Sequence, residues 1–182
     1  VVETNVIGTL NVLMAAKEQG IGRMIHTSTS EVYGTAIRVP MDESHPLQGQ
    51  SPYSASKIGA DKLVESFVDS YDVQAVTVRP FNTYGPRQPA RAVIPAIISQ
   101  ALGEDEIRLG NLTPTRDFTY VSDTVEGFLC AATAGGVVGE TINLGCGQEI
   151  SIGQLVEMIM GLVGRQVEVK NEAIRMRPKS SE

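Results

Sequence analysis

Short apolar runs alternate with amphipathic stretches through the first half of the sequence, and this alternation leaves few ways to fold. From Val2 to Gln19, apolar side chains at Val2, Val6, Leu10, Leu13 and Met14 follow the spacing of a buried helix face, and Gly20 acts as a stop. Arg23 to Ser28 then reads as a strand that runs into the polar stretch Thr27-Ser28-Thr29-Ser30-Glu31. A long loop with Pro40, Pro46 and Gly49 precedes a second helix, which starts near Pro52 behind Ser51 and continues to about Tyr71. Ala75 to Val78 reads as a fully buried strand, ending in Arg79-Pro80-Phe81-Asn82 and the turn residues Gly85-Pro86. Helix, strand, helix, strand, with strands too apolar to face water, predicts a parallel sheet with helical crossovers. Ligands of such sheets collect at the C-terminal strand ends, where the polar stretch falls.

Beyond Pro86 the pattern predicts a helix around Ile94 to Leu102, a strand near Ile107 to Leu109, a helix from Val121 to Ala132 and a strand near Thr141 to Leu144. Ser151 caps a last helix whose Leu155, Ile159 and Val163 share a face. Gly164 ends it, and Val167 and Val169 alternate as an edge strand. The 182 residues are 42% hydrophobic and 20% charged, with no run near the roughly 20 apolar residues of a membrane span. A soluble, cytoplasmic protein is expected. The net charge of −6, without a Lys/Arg cluster, argues against a nucleic-acid partner. Cys130 and Cys146 have neither a cysteine nor a histidine at metal-ligand spacing, so no metal site is expected and both read as small buried side chains. His26 and His45 read as structural.

Tyr53-Ser54-Ala55-Ser56-Lys57 puts a phenol and an ammonium four residues apart, on one face of the second helix. A free Tyr titrates near 10, so use as a base near neutrality needs a shift of about three units, roughly 4 kcal/mol. One Lys cation about 4 Å away at an effective dielectric of about 20 can supply that much.

The segments Asn5-Val6-Ile7-Gly8-Thr9, Thr27 to Gly34, Ser51 to Lys57, Arg79 to Pro86 and Arg116-Asp117-Phe118-Thr119-Tyr120-Val121 together resemble the extended short-chain dehydrogenase/reductase family, the NAD-dependent sugar-nucleotide epimerases and dehydratases. Within it, Pro46 to Tyr53 and Arg87 to Pro95 look most like 4,6-dehydratases for nucleotide-linked N-acetylglucosamine of legionaminic-type pathways. The resemblance implies an α/β, Rossmann-like doubly wound parallel sheet with a smaller α/β substrate-binding subdomain. Residues 1–86 would be the C-terminal part of the NAD-binding domain and 87–182 mainly the substrate-binding part, interleaved with it. It also implies roles. Tyr53 would take the sugar O4 proton while hydride leaves C4 for NAD, Lys57 would hold Tyr53 and the nicotinamide ribose, and Thr29 would bond the reacting hydroxyl. Glu31 would take the C5 proton before water leaves C6. Thr27, Pro80 and Phe81 would line the cofactor, and Asn82, Arg91, Arg116 and Arg177 would contact the nucleotide sugar. A homodimer through the two long helices is usual in the family.

Where glucose-type dehydratases carry Thr-Asp-Glu, this chain has Thr29-Ser30-Glu31. Ser30 takes the catalytic-acid position, but a hydroxyl is far too weak an acid to protonate a leaving group, so Glu31 serves both steps or the acid lies elsewhere. Thr-Ser-Glu also fits UDP-glucuronate decarboxylases, which carry an Arg just before the catalytic Tyr where this chain has Gln50-Ser51-Pro52. A C4 epimerase, which needs no C5 base, and a non-enzymatic binding or scaffold protein are further readings. The family's glycine-rich strand-to-helix turn does not occur here, and the natural chain is expected to extend beyond both ends.

Overall fold

Ala75, Val76 and Val78 have no exposed surface, and the strand that they begin is the centre of the fold. The computed structural model describes residues 1–171. In chain order, a π-helical turn (Glu3–Ile7) leads into α1 (Gly8–Gln19), then β1 (Met24–Thr27), a 3-10 turn (Ser30–Tyr33), α2 (Pro52–Tyr71), β2 (Ala75–Pro80) and β3 (Asn82–Tyr84). Next come α3 (Val93–Gly103), β4 (Glu106–Leu109), β5 (Thr115–Tyr120), α4 (Val121–Thr133), β6 (Thr141–Leu144), β7 (Glu149–Ser151), α5 (Ile152–Val163) and β8 (Glu168–Asn171).

β2 pairs in parallel with β1 on one side and β6 on the other, as the alternation predicts. Side chains alternate across it. Ala75 packs with Leu13, Val64 and Phe67 of α1 and α2, whereas Val76 and Val78 pack with Ala131 and Phe128 of α4 on the opposite face. Helices on both faces make this part a doubly wound, Rossmann-like layer structure. Toward the C-terminal ends of β1 and β2, the face under α2 turns polar, carrying His26, Ser28, Thr77 and Arg79, all buried.

A second core gathers α3, α5 and β4 around Ile97, Ile107, Leu155 and Ile159. β4 pairs with β8, while β5 lies between β3 (parallel) and β7 (antiparallel). The chain leaves the first sheet after β2 and returns to it with α4 and β6. α2 starts on a reciprocal cap: Ser51 Oγ accepts from the Ser54 amide and Ser54 Oγ from the Ser51 amide, both at 3.0 Å, with Pro52 in the first turn. Ser151 and Gln154 repeat the device on α5. Gly20 ends α1 in the left-handed conformation, at φ 61°.

Three readings need correction. Val2 and Met14 are 58% and 47% exposed; of the apolar set on the first helix, Leu13 alone is buried, because only one edge of α1 meets α2 and the sheet. Cys130 and Cys146 are both exposed: Cys130 lies toward the solvent side of α4, and Cys146 sits in a loop where its thiol donates to Asp117 at 3.1 Å. β3, β5 and β7 went unpredicted, since two span three residues each and β5, Thr-Arg-Asp-Phe-Thr-Tyr, is mostly polar.

The second core yields a direct test. Ile107→Ala should lower unfolding free energy in urea by about 2–5 kcal/mol, whereas Leu162→Ala, at a site 83% exposed, should change it by less than about 0.5 kcal/mol.

Candidate active site

Three pieces of chain meet at the C-terminal end of β1. The cap on α2 fixes its first turn, so Tyr53 stands at the helix start, 38% exposed, with Lys57 one turn further along the same face. Lys57 Nζ donates to the Thr27 carbonyl, the last of β1, at 2.8 Å. Thr29 follows in extended conformation as the cap of the 3-10 turn, and its Oγ1 accepts from the Glu31 amide at 3.2 Å. The Thr29 hydroxyl and the Glu31 carboxylate both lie close enough to the Tyr53 phenol to act on its ionisation. Tyr53, Lys57, Thr27, Thr29 and Glu31 therefore form one cluster. Ser30 opens the 3-10 turn, half-buried, in the same loop.

Burial pushes the Tyr53 phenol above its ordinary value, the Glu31 charge pushes it further, and the Thr29 hydroxyl pulls it partly back. The Lys57 ammonium, on the same helix face, is held by the Thr27 carbonyl. One hydrogen bond also ties the helix start to the π-helical turn, Asn5 Nδ2 donating to Ser56 Oγ at 3.0 Å, and Ser56 Oγ in turn donates to the Tyr53 carbonyl within α2 at 2.7 Å. π-turns recur at functional sites. Beside β1 a concavity of about 350 Å³ is lined by Asn5, Gly8, Thr9, Thr27 and Lys57 among others.

Pro80 and Phe81 leave the end of β2 two residues beyond the level of Thr27, since Thr27 pairs with Val78. Both are half-buried, and the Phe81 amide donates to Leu144 O at 2.8 Å. Asn82 is exposed at the start of β3 and pairs with Phe118, two residues along β5 from Arg116. Arg116 Nη1 donates to the Thr115 carbonyl at 2.7 Å. Arg91 is exposed in the turn before α3, and among the described residues no hydrogen bond or ion pair ties it to the cluster. Arg177 lies outside the described residues.

Sequence reasoning assigned no role to the residues beneath the cluster. Asp61, one turn after Lys57 on α2, is 5% exposed and accepts from Ser28 Oγ (2.9 Å) and from Arg79 Nε and Nη2 (3.1 and 2.9 Å). Its other oxygen pairs with His26 Nε2 at 3.0 Å. Burial pushes the Asp61 carboxyl up, but the bonds from His26 and Ser28 and the Arg79 guanidinium outweigh it and hold it below the usual carboxylate value. The available signal was positional: an acid four residues after Lys57 points inward with it. No group of three or more His, Cys, Asp or Glu suited to a metal occurs among the described residues.

Replacing Glu31 removes the charge that opposes Tyr53 ionisation. Glu31→Gln should shift the Tyr53 phenolate transition to lower pH, and Thr29→Val should shift it to higher pH, both read by ultraviolet titration against Tyr53→Phe as the blank.

The family model described as GDP-mannose 4,6 dehydratase matches residues 1–182. A dTDP-D-glucose 4,6-dehydratase of Mus musculus is 38% identical over 160 residues, covering 87% of this chain and 45% of that protein. A UDP-glucose 4-epimerase of Mycolicibacterium smegmatis is 37% identical over 166 residues, 88% of this chain and 52% of that one. The crystal structure of a dTDP-glucose 4,6-dehydratase from Streptomyces venezuelae, with NAD and TYD bound, matches with a TM-score of 0.88 at 31% identity, over 98% of this chain and 55% of that chain. The chain spans about half the length of the curated relatives it matches. No helix among the described residues is long and apolar enough to cross a membrane. With the phenol, ammonium, hydroxyl and carboxylate gathered at one strand end of a doubly wound sheet, this chain belongs to the epimerase/dehydratase branch of the extended short-chain dehydrogenase/reductase family.

Proposed function

We propose that the protein of which this chain is part is an NAD-dependent 4,6-dehydratase acting on a nucleotide-linked N-acetylglucosamine. The observation that carries the reading is the Glu31 carboxylate within electrostatic reach of the Tyr53 phenol, a second base beside the redox tyrosine. The residues fit the nicotinamide-ribose end of the cofactor in chemistry: the Lys57 ammonium and the Thr27 hydroxyl are ribose-binding groups, and both residues line the concavity along β1. The pyrophosphate end has no glycine-rich turn in this chain to receive it. When bound, NAD would supply the hydride acceptor for C4 and the hydride donor for C6.

The chain's own residues then divide the proton transfers. Tyr53 takes the O4 proton, Thr29 orients that hydroxyl, and Lys57, anchored on Thr27, reaches the ribose hydroxyls. The ketone at C4 acidifies C5, and Glu31 removes that proton. Ser30 offers no usable acid, so Glu31 hands the same proton to the departing C6 oxygen, one water leaves, and the proton that Tyr53 took from O4 balances the one that C5 gains when hydride returns at C6. Asn82 and Arg116, neighbours across β3 and β5, bind the diphosphate, with Arg91 and Arg177 as further contacts. The stretches Pro46 to Tyr53 and Arg87 to Pro95 support the N-acetylglucosamine assignment by resemblance. Two copies pairing through α1 and α2 would cover Val12, Met14 and Tyr71, which are about half exposed. A C4 epimerase is the second reading, favoured by the similarity to the mycobacterial epimerase.

The test is mass spectrometry after incubating the full-length protein with NAD and, separately, UDP-N-acetylglucosamine, GDP-N-acetylglucosamine and UDP-glucuronate. Loss of one water from an N-acetylglucosamine nucleotide is expected. Unchanged mass with altered sugar stereochemistry would replace the proposal with the epimerase, and loss of carbon dioxide from the glucuronate with a decarboxylase. Tyr53→Phe should abolish turnover, while Glu31→Gln should still oxidise C4, accumulate NADH slowly and lose no water; normal dehydration by that variant overturns the assignment of the base.

A further inference from the structure

The buried polar cluster under the site touches every segment that carries a reacting group. Asp61 rides on α2 with Tyr53 and Lys57, one turn beyond the latter. It accepts from Ser28, the residue between Thr27, whose carbonyl receives Lys57, and Thr29, whose hydroxyl favours the Tyr53 phenolate. Ser28 is itself fixed to β2 by its amide, which donates to Val78 O at 2.8 Å. Arg79 on β2 donates through two nitrogens to Asp61 and through Nη1 to the Tyr33 hydroxyl at 2.9 Å. Tyr33 closes the 3-10 turn that carries Glu31, has no exposed surface, and donates its hydroxyl hydrogen bond to Asn143 Oδ1 of β6 at 2.7 Å. The Arg79 guanidinium also lies 5.0 Å from the centre of the Tyr33 ring.

A buried ion pair is weak evidence for stability, because apolar side chains of similar volume would pack there at no greater cost. What this one supplies is geometry. Arg79 makes directional bonds to α2 and to the 3-10 turn at once, and Asp61 makes them to β1 and β2 at once. We propose that Asp61 and Arg79 are positioning residues: together with Ser28 and Tyr33 they set the distance of the Tyr53–Lys57 helix from the strand end bearing Thr29 and the turn bearing Glu31. The proposal rests on the reading of Tyr53 as the redox base and goes beyond it by naming the groups that hold that base in register.

The test uses the full-length protein with Ser28→Ala, which deletes one buried hydroxyl without enlarging anything, and Asp61→Asn, which keeps the shape and removes the charge. The first readout needs no turnover. Displacing Thr29 from the phenol removes the one influence that lowers Tyr53, so its phenolate transition should move to higher pH in Ser28→Ala, measured against the same variant carrying Tyr53→Phe. The second readout is steady-state kinetics on the nucleotide sugar that the wild type converts. kcat should fall about 10- to 100-fold with KM unchanged, as expected for misplacement of a reacting group, while thermal unfolding of Ser28→Ala stays close to wild type. An unmoved Tyr53 transition overturns the proposal, as does a loss of kcat in either variant that merely follows its loss of folded protein. If the wild type converts none of the sugars, the reaction assignment fails, and the titration still decides the positioning.

Discussion

A carboxylate taken out of water must find donors for both of its oxygens or lose its charge. Asp61 finds them on two neighbouring strands, with His26 and Ser28 at the end of β1 and Arg79 on β2 converging on one position of α2. The apolar contacts above and below, among Leu13, Val64, Phe67 and Ala75, would tolerate small slides of α2 along the sheet. The polar contacts do not. A one-residue slip of β1 against β2 would turn His26 and Ser28 toward α4 and leave the carboxylate facing an unmatched guanidinium. The alignment of α2 with the strand ends, on which the cluster around Tyr53 depends, thus rests on hydrogen-bond satisfaction more than on packing.

The sequence made the helices and the central strands legible because their signals are local: Ser51-Pro52 announces a helix start, Gly20 and Gly164 announce stops, and Ala75 to Val78 is too apolar to lie anywhere but inside. The chemistry on α2 was legible for the same reason, since a four-residue spacing on a helix fixes a shared face. β5 was not, because its stability comes from partners more than thirty residues away in each direction, β3 and β7, rather than from its own composition. Nor was the Asp61 network. A lone acid in a helix ordinarily faces solvent, and the partners that draw this one inward lie 18 to 35 residues away. Arg91 stands exposed in the turn before α3, where its own spacing in the sequence says nothing about what it meets.

Tyr53 and Glu31 are coupled through space, and the sign of the coupling bears on the proposed reaction. The Glu31 charge disfavours the Tyr53 phenolate, so transfer of the O4 proton to Tyr53, which leaves the phenol neutral, relieves that repulsion before the C5 proton becomes acidic. Lys57, held on the Thr27 carbonyl, links helix and strand at the place from which it reaches the ribose hydroxyls in the proposed reaction.

The path of the chain after β2 has a further consequence. Residues 87 to 120 build part of the second core, α4 and β6 then rejoin the first sheet, and β7, α5 and β8 complete the second core. A graft of the second core from a relative would therefore need two splice intervals, with residues 121–144 retained from the host so that β2 keeps its neighbour. A single crossover near Pro86 would instead import a foreign β6 and α4, and with them a foreign partner for the Tyr33 hydroxyl where Asn143 now stands.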